Sequence, residues 1–584
     1  TTLPSANNHV MHTVETVLLV LMLGALTGIA ARYVRAIPLP LIQIALGALI
    51  AWPQDGLHIA FDPELFLLLF IPPLLFADGW RIPKREFFAL AKPILLLAFG
   101  LVFITVFGLG YLIHWMIPSI PLTVAFALAA VVSPTDAVAV SASSRNLGMP
   151  SKTMHLLEGE SLLNDASGLV ALKFAVAATL TAGSFSWENA AKDFTWMSVG
   201  GLGLGALMGW GFSRGRDMVT RRVGDVAATQ MVLLLILLPF ASYIMGEYIG
   251  VSGILSAVAA GIATNFADLD RSNFISERLQ TEGTWSMVEA AFNGAIFLLL
   301  GLQLPSIIGE TLRGAAHRDV WLLLGYVAAI SCALLALRWA WLMLGVRSSL
   351  HKAHRQGRMV ERPSALLTLA TTVAGIRGAV TLAAALSIPT HLANGRVFPE
   401  RNLLIFLATG TILFTLVLGS IVLPLLLRRI PPVEDTQAQH EERLARTAAC
   451  QAAIASLALP EDQAQQHSAQ WLAQHQEVAG RITQEYRNRI QLLDESGVAN
   501  TPEAQSDSPE VVHERRLRYL REIELRLHCI QVERNTLYAE RQAHRINDEM
   551  LRAMVSELDM SEVSLRKRLA VARRAVGLPP LEGH

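Results

Sequence analysis

Long apolar runs dominate residues 1–430 of this 584-residue chain. Each run is about 20 residues long, the length that an α-helix needs to cross the hydrocarbon core of a bilayer. Only 16% of all residues are charged, against about 25% in ordinary soluble proteins. Residues from 431 onward are instead rich in Glu, Arg, Gln and Ala. The sequence therefore predicts an all-α polytopic membrane domain over 1–430 and a soluble helical domain over 431–584.

Thirteen apolar windows are candidates for transmembrane helices. The second window is short, and the fifth and the twelfth are interrupted by helix-breaking residues. An odd number of spans puts the two ends of the domain on opposite sides of the membrane. The windows lie near residues 12–34, 38–52, 61–80, 86–117, 121–145, 151–181, 194–213, 226–246, 250–266, 284–307, 319–346, 364–390 and 402–428.

The connections between these windows differ in their content of Lys and Arg. The odd-numbered connections hold 19 such residues and the even-numbered connections hold 5. Because short cytoplasmic loops carry the excess of positive charge, we expect the odd-numbered connections in the cytoplasm. The N-terminus is then outside, and the soluble tail is inside.

The two interrupted windows carry their breaks at matching places. In the fifth window, Ser133-Pro134-Thr135-Asp136 falls midway, where proline removes a donor and Asp136 is suited to cap a second half-helix. In the twelfth window, Gly375 and Gly378 flank Arg377 near the middle. Around each break, a long window, the broken window and a further window follow one another. The two sets of three windows run through the membrane in opposite directions. This arrangement predicts the inverted repeats of secondary transporters, with an ion site where the broken helices meet.

The sixth window contains a polar segment, EGESLLNDAS, at residues 158–167. Four of its polar side chains fall within an arc of roughly 140° at helical pitch. An ionisable side chain at membrane depth costs at least about 2.5 kcal/mol, so it marks an ion path or a proton relay by default. Carboxylate, hydroxyl and amide oxygens suit a small, hard monovalent cation. The four side chains are Glu160, Ser161, Asn164 and Asp165.

Several polar residues also admit a structural interpretation. Hydrogen bonds between helices would explain Ser161 without any ion. Glu160 could pair with Arg377 or with Arg338. Glu289 is either a structural partner or part of the wall of the site, and Glu158 is placed to face the cytoplasmic entrance.

Two motifs carry a family resemblance. SPTDAVAV at residues 133–140, followed by GESLLNDASGLV at 159–170, resembles the monovalent cation:proton antiporter-1 family, the sodium/proton exchangers. IFLLLGLQL and GIRGAV are similar to later motifs of that family, and the resemblance spans residues 15–428. The tail is similar to the tails of bacterial members. The resemblance implies thirteen helices with two six-helix inverted repeats, a homodimer, and a place in the bacterial inner membrane among its lipids.

The resemblance also implies roles for individual residues. Asp165, as the Asp of an Asn-Asp pair, would carry the cation or the proton, and Asn164 stands where electrogenic relatives have a second Asp. Ser161 and the backbone of Thr135 would line Na⁺ together with Asp165. Asp136 would sit at the helix crossing, and Glu160 would form a buried charge pair with Arg377. Many members have Pro after the crossing Asp, whereas this chain has Ala137.

Three classes of function compete for this sequence. The first, a cation/proton antiporter for pH and sodium homeostasis, is favoured by the paired broken helices. A passive cation channel lacks support because the chain has no filter-like carbonyl repeat. A membrane sensor would need an output motif in the tail, which instead predicts helices over 434–458, 461–494 and 509–575. We expect no cofactor and no nucleic-acid partner, and the sequence leaves Na⁺, Li⁺ and K⁺ open as substrates.

Overall fold

The computed structural model of the protein divides into two compact units, Thr1–Val433 and Glu434–His584. Each unit is helical in its described residues. Among those residues, the β-type pairing is confined to an isolated bridge between His391 and Val397. The residues that the structure describes are 6–30, 37–52, 63–144, 149–180, 187–223, 228–267, 275–313, 319–356, 364–391, 397–430, 447–448, 450–457, 469–495, 509–542 and 548–576.

The first unit is a succession of helices with short connections. A π-helical turn, Leu96–Leu101, lies between the fifth and the sixth helix. In chain order the helices are α1 (Ala6–Ala30), α2 (Leu39–Ala51), α3 (Pro63–Arg81), α4 (Lys84–Ala89), α5 (Ala91–Leu95), α6 (Val102–Met116), α7 (Leu122–Val131), α8 (Ala137–Ser144), α9 (Ser151–Leu180), α10 (Trp187–Val223), α11 (Ala228–Ile249), α12 (Gly253–Ala267), α13 (Ile275–Arg313), α14 (Val320–Arg355), α15 (Ala365–Val373), α16 (Ala379–Leu386) and α17 (Arg401–Leu427).

Many of these helices have the length and composition of membrane spans. Shorter apolar helices, such as Leu122–Val131 and Gly253–Ala267, lie among the long ones. An all-helical, polytopic membrane fold is therefore confirmed, while the count of thirteen spans stays a prediction. Within the described part of the chain, six helical stretches can cross a bilayer by length and composition: Ala91–Met116, Ser151–Leu180, Thr229–Ile249, Gln280–Thr311, Val320–His351 and Arg401–Leu427.

The fifth predicted span consists of two helices, α7 and α8, separated at residues 132–136. Pro134 cannot donate a backbone hydrogen bond, which favours a break at this point. Asp136 then caps α8, because its Oδ1 accepts hydrogen bonds from the N–H groups of Val138 at 2.8 Å and Ala139 at 3.1 Å. The structure thus confirms the capping role predicted for Asp136.

The twelfth predicted span is also divided, into α15 and α16, and its break touches the first one. The N–H of Asp136 donates to the carbonyl of Ile376 at 2.8 Å. In the opposite direction, Nε of Arg377 donates to the carbonyl of Val132 at 2.9 Å. A Cβ atom at Gly378 would lie 1.8 Å from Oδ2 of Asp136, so only glycine permits this approach. The two interruptions therefore cross in direct contact.

Helix α9 is fixed beside this crossing by close contacts along its length. A Cβ at Gly168 would lie 2.5 Å from Cγ of Pro134, and one at Gly159 would lie 2.6 Å from Cδ1 of Ile94. The hydroxyl of Ser167 donates to the carbonyl of Ala98 at 2.6 Å, inside the π-helical turn. Such a turn leaves a carbonyl available to an outside donor. The polar segment of α9 is therefore held against the broken helix α7–α8.

Helices α10 and α12 pack closely through small residues. Gly201, Gly205 and Gly209 recur every fourth residue on one face of α10. A Cβ at Gly205 would lie 2.0 Å from the carbonyl oxygen of Ser256, and one at Gly209 would lie 2.4 Å from that of Ala260. Small residues at this spacing let two membrane helices approach each other closely.

The second unit contains the helices α18 (Ala469–Glu495), α19 (Pro509–Gln542) and α20 (Asp548–Ala575). The prediction of one helix over 509–575 is wrong, because α19 and α20 pack against each other around a small apolar cluster. That cluster contains Leu520, Ile523, Leu569 and Ala572. Pairing of the two helices buries apolar positions that one long helix would expose to water. The predicted helix over 434–458 lies mostly outside the described residues.

Candidate ion-binding site

The polar face of α9 is divided between a cavity and the protein interior. Ser161 and Asp165 line a cavity of about 340 Å³, with 8% and 7% of their surfaces exposed. Glu160 and Asn164 are each 1% exposed and face partners inside the protein. All four side chains were predicted as ion ligands from the helical arc. The structure places only two of them at the cavity.

Asn164 clamps the interruption between α7 and α8. Its Nδ2 donates to Oγ1 of Thr135 at 2.8 Å, and its Oδ1 lies 3.4 Å from the N–H of the same residue. Ser161 adds a hydrogen bond from its hydroxyl to the carbonyl of Thr135 at 2.8 Å. The backbone of Thr135 is thus fixed against α9, at the cavity that Asp165 also lines. Asn164 therefore contacts Thr135 and is not among the described residues that line the cavity.

The charge partner of Glu160 differs from the one that the family resemblance implied. Both terminal guanidinium nitrogens of Arg338, Nη1 and Nη2, donate to the carboxylate of Glu160, with Nη2 at 2.8 Å from Oε2. Arg338 also donates from Nε to the carbonyl of Thr371 at 3.2 Å. The predicted pair of Glu160 with Arg377 is therefore corrected, and the second residue-based alternative, Arg338, is the partner.

Arg377 instead ties the two interruptions together through backbone carbonyls. Its Nε bonds Val132, its Nη1 bonds Gly375, and its own N–H donates to Oγ1 of Thr415 at 3.2 Å. It is 3% exposed. Arg338 reaches the interior from α14, where its side chain can meet α9 directly, whereas the side chain of Arg377 is occupied at the crossing. This difference in approach explains the partner of Glu160.

The cavity brings carboxylates together from several helices. Asp136 and Asp165 lie at the helix crossing, and Glu158 stands on α9 two turns before Asp165. Glu289 lines the cavity from α13 and is also a structural partner, since it forms an ion pair with Arg81. Both functions considered for Glu289 from the sequence therefore occur together.

The sequence interpretation missed Asp78 and Arg81. Both residues line the cavity from the end of α3, one turn apart. Asp78 is exposed within it, and the side chain of Arg81 is 39% exposed. A signal was available, since LLFADGWR places a carboxylate inside the third apolar window, before its end at residue 80.

The arrangement supplies a chemically suitable place for a small monovalent cation. Asp165 provides a carboxylate, Ser161 a hydroxyl oxygen and Thr135 a backbone carbonyl within one fixed cluster. Oxygen donors are the ligands that hard cations prefer. Burial also disfavours an uncompensated carboxylate charge. Asp165 is therefore stabilised when it binds either a proton or a cation. The site can therefore hold one or the other.

Comparison with known proteins shows which family the chain matches. The family model described as "Sodium/hydrogen exchanger, transmembrane" matches residues 17–429. The uncharacterized Na(+)/H(+) exchanger YjcE of Escherichia coli K12 is 42% identical over 556 residues, which are 94% of this chain and 98% of that protein. The sodium, potassium, lithium and rubidium/H(+) antiporter of Bacillus pumilus is 47% identical over 433 residues, covering 73% of this chain but only 64% of that protein.

A solved structure shares the fold. The sodium proton antiporter MjNhaP1 from Methanocaldococcus jannaschii at pH 8 superposes with a TM-score of 0.56 at 16% sequence identity. The match covers 72% of this chain and 99% of that structure. The family model spans nearly the whole membrane unit and includes both interruptions and the polar face of α9. The chain therefore belongs to the sodium/hydrogen exchanger family, and it is a membrane transporter of cations and protons rather than an enzyme.

Proposed function

We propose that the protein exchanges one monovalent cation, Na⁺ foremost, for one proton by alternating access, with Asp165 as the shared carrier. The observation that carries the proposal is the position of Asp165. Asp165 is 7% exposed as a residue, at a cavity whose residues Asp78 and Arg81 are far more exposed. It also adjoins the crossing of two broken helices, where secondary transporters hold their ions.

Coupling follows from the cost of leaving Asp165 charged and unpaired. A buried carboxylate loses its proton readily only when another positive charge compensates it. A cation held by Asp165, Ser161 and the carbonyl of Thr135 provides that compensation. Either occupied state can then change its exposure from one side to the other, whereas the empty charged state crosses a low-dielectric barrier slowly. Cation and proton fluxes are thereby coupled without direct contact between the two ions.

The side on which the cavity opens supports an inward-facing state. The cavity is lined by the C-terminal half of α3 and the N-terminal half of α9. These helix ends lead into the connections that are rich in Lys and Arg. By the positive-inside rule they face the cytoplasm, with the N-terminus outside and the helical tail inside. We place the protein as a homodimer in the bacterial inner membrane, as the family resemblance implies.

Cation choice is the open part of the proposal. The Bacillus pumilus relative is named for sodium, potassium, lithium and rubidium, which supports testing all four ions. The ligands are one carboxylate, one hydroxyl and one carbonyl, without a complete cage that would fix one ionic radius.

We propose that the helical tail over 431–584 regulates exchange, because every candidate ligand lies in the membrane unit.

Flux in proteoliposomes tests this function. Purified protein is reconstituted with an interior pH dye, and Na⁺, Li⁺, K⁺ or Rb⁺ is added outside at equal pH. An exchanger moves the added cation in and a proton out, so the interior becomes alkaline only when an accepted cation is offered. A passive cation channel moves no protons. The variant Asp165→Asn should abolish this response. The matched control is Asp193→Asn, which changes an exposed aspartate at the start of α10 and should exchange normally.

Absence of proton flux with all four cations, from protein that is folded and reconstituted, would reject exchange. Proton flux that persists in Asp165→Asn would reject Asp165 as the carrier. Cation flux without proton flux would favour the channel.

A further inference from the structure

One cationic side chain stands among the described residues that line the cavity. Arg81, at the C-terminal end of α3, forms an ion pair with Oε2 of Glu289 on α13. The other charged groups facing the same space are carboxylates. They are Asp78 on α3, Asp136 before α8, Glu158 and Asp165 on α9, and Glu289 itself.

The pair is placed where it can act on an entering ion. The side chains of Arg81 and Glu289 are 39% and 20% exposed, so the pair lies towards the more accessible part of the cavity, and Asp165 lies deeper. Asp78 is one helical turn before Arg81, on the same face of α3. A cation that reaches Asp165 therefore passes a fixed guanidinium as well as the acidic groups. Charges that face one partly desolvated cavity interact more strongly than they would in bulk water.

Helices α3 and α13 have other contacts that hold them together. Phe70 and Phe292 form an edge-to-face pair with centroids 5.1 Å apart. Phe76 stacks on Trp285 at 5.3 Å, inside a buried apolar cluster. Aromatic pairs of this kind contribute about 0.5–1.5 kcal/mol each beyond the area that they bury. A partly exposed ion pair adds little to such a contact, so the pair of Arg81 with Glu289 makes only a small contribution to holding the two helices together.

We propose that Arg81, positioned by Glu289, is an affinity-setting residue that lowers the affinity of the cavity for the transported cation. The inference rests on the proposed cation/proton exchange and deepens it. The positive charge of Arg81 repels an entering cation. Glu289 holds the guanidinium at the cavity wall, and its negative charge weakens that repulsion.

The proposal predicts opposite effects for the two members of the pair. Arg81→Gln removes a positive charge and should lower the KM for Na⁺ about threefold to tenfold, measured at alkaline pH where protons compete least. Glu289→Gln removes a negative charge, leaves Arg81 unopposed, and should raise KM by a similar factor. The double variant should return KM close to the wild-type value, and Arg81→Lys should preserve it. The maximal rate should change by less than about twofold.

A purely structural ion pair would behave differently, because either single variant breaks it. Both variants would then shift KM or the maximal rate in the same direction, and the double variant would resemble them. Arg85→Gln is the matched control: it removes an arginine four residues further along, which pairs with Glu86 outside the cavity lining, and should leave KM unchanged.

The experiment uses the full chain in proteoliposomes, with KM and maximal rate obtained from Na⁺-dependent proton flux. Size-exclusion profiles and melting temperatures establish that each variant is folded, and Arg81→Lys keeps the test decisive if Arg81→Gln does not fold. The proposal is overturned if the two neutralising variants shift KM in the same direction, if neither shifts it, or if Arg81→Lys acts like a neutral substitution. Absence of exchange in the wild type would instead overturn the proposed function, before any variant is compared.

Discussion

Glu160 of α9 and Arg338 of α14 form a buried, two-point ion pair, each with 1% of its side chain exposed. The pair links the helix that carries Asp165 to a helix outside the cavity lining. A buried pair of this kind is stable only while both partners remain, because either charge alone is stranded in a poorly polarisable interior. Glu160 is thus part of the support of the site, and its oxygens are already occupied.

Removing the charge of Arg338 should therefore chiefly lower the stability of the protein, and not act directly on ion exchange. Arg338→Gln strands the charge of Glu160 and should cost roughly 3–5 kcal/mol, visible as a lower melting temperature in detergent. Arg347→Gln, on an exposed part of the same helix, is the control and should melt like the wild type. A wild-type melting temperature for Arg338→Gln, together with lost exchange, would instead assign Arg338 to ion handling.

A methyl group at the helix crossing should disrupt the site sterically. In Gly378→Ala the new Cβ would lie 1.8 Å from Oδ2 and 2.4 Å from Cγ of Asp136, so one of the interruptions must move. We expect exchange to fall at least about tenfold, since a displacement of about 1 Å near a functional group commonly has effects of that size or larger. Gly325→Ala, on α14 with open space around it, should remain active. Normal exchange in Gly378→Ala would contradict the crossing geometry.

The tail should lose stability in acid through Glu562. Arg534 of α19 bonds this carboxylate on α20, and Nε of Arg566 donates to it at 2.7 Å. Arg534 first, and Arg566 second, hold the pKa of Glu562 below its ordinary value. A depressed folded-state pKa contributes stability above the ordinary pKa, and that stability is lost as the pH falls through the folded value. Glu562→Gln should remove this acid-dependent part.

Hydrogen exchange of α19 and α20 in the full-length protein measures the effect, with rates corrected for intrinsic pH dependence. In the wild type, protection against exchange should fall with acidification. In Glu562→Gln, protection should be lower from the start and should depend less on pH. Glu557→Gln, an exposed position on the same helix, serves as the control. Equal pH slopes in the wild type and in Glu562→Gln would refute the assignment.

Exchange should be insensitive to membrane potential. Asp165 stands beside a neutral Asn164 whose amide is engaged by Thr135, so one proton is replaced by one monovalent cation and no net charge moves. Movement of one net charge would couple to the potential by about 2.3 kcal/mol per 100 mV. A potential imposed by a thiocyanate gradient avoids added K⁺, and the Na⁺-driven rate should stay constant. A strong voltage dependence would show that a second carboxylate, such as Asp78, also titrates.

The features that sequence reasoning found are those encoded locally. Pro134 with the capping Asp136, and Gly378 after Arg377, mark the interruptions because their effects act on their own backbone. The helical arc of α9 likewise brought Ser161 and Asp165 to one face. Periodicity, however, does not tell which part of a polar face meets a cavity. Asn164 therefore looked like a ligand, although its amide is bound to Thr135.

The features that sequence reasoning missed depend on contacts between distant segments. Glu160 had two buried arginines as candidate partners, and only the packing of α14 against its neighbours selects Arg338. Asp78 belonged to an apolar window in the sequence, and it joins the site only because α3 packs beside the crossing. Pairing of α19 with α20 is a tertiary event for the same reason, since it depends on contacts of Leu520 and Ile523 with Leu569 and Ala572.

The central claim is that cation and proton occupy Asp165 in turn, and the pH dependence of KM tests it most directly. Na⁺-driven proton flux is measured in proteoliposomes over a range of Na⁺ concentrations at successive pH values. Direct competition predicts that acidification raises KM by up to about tenfold per pH unit, following proton concentration, while the maximal rate stays nearly constant. A maximal rate that falls on acidification at unchanged KM would contradict the claim, because that pattern belongs to a proton sensor separate from the carrier.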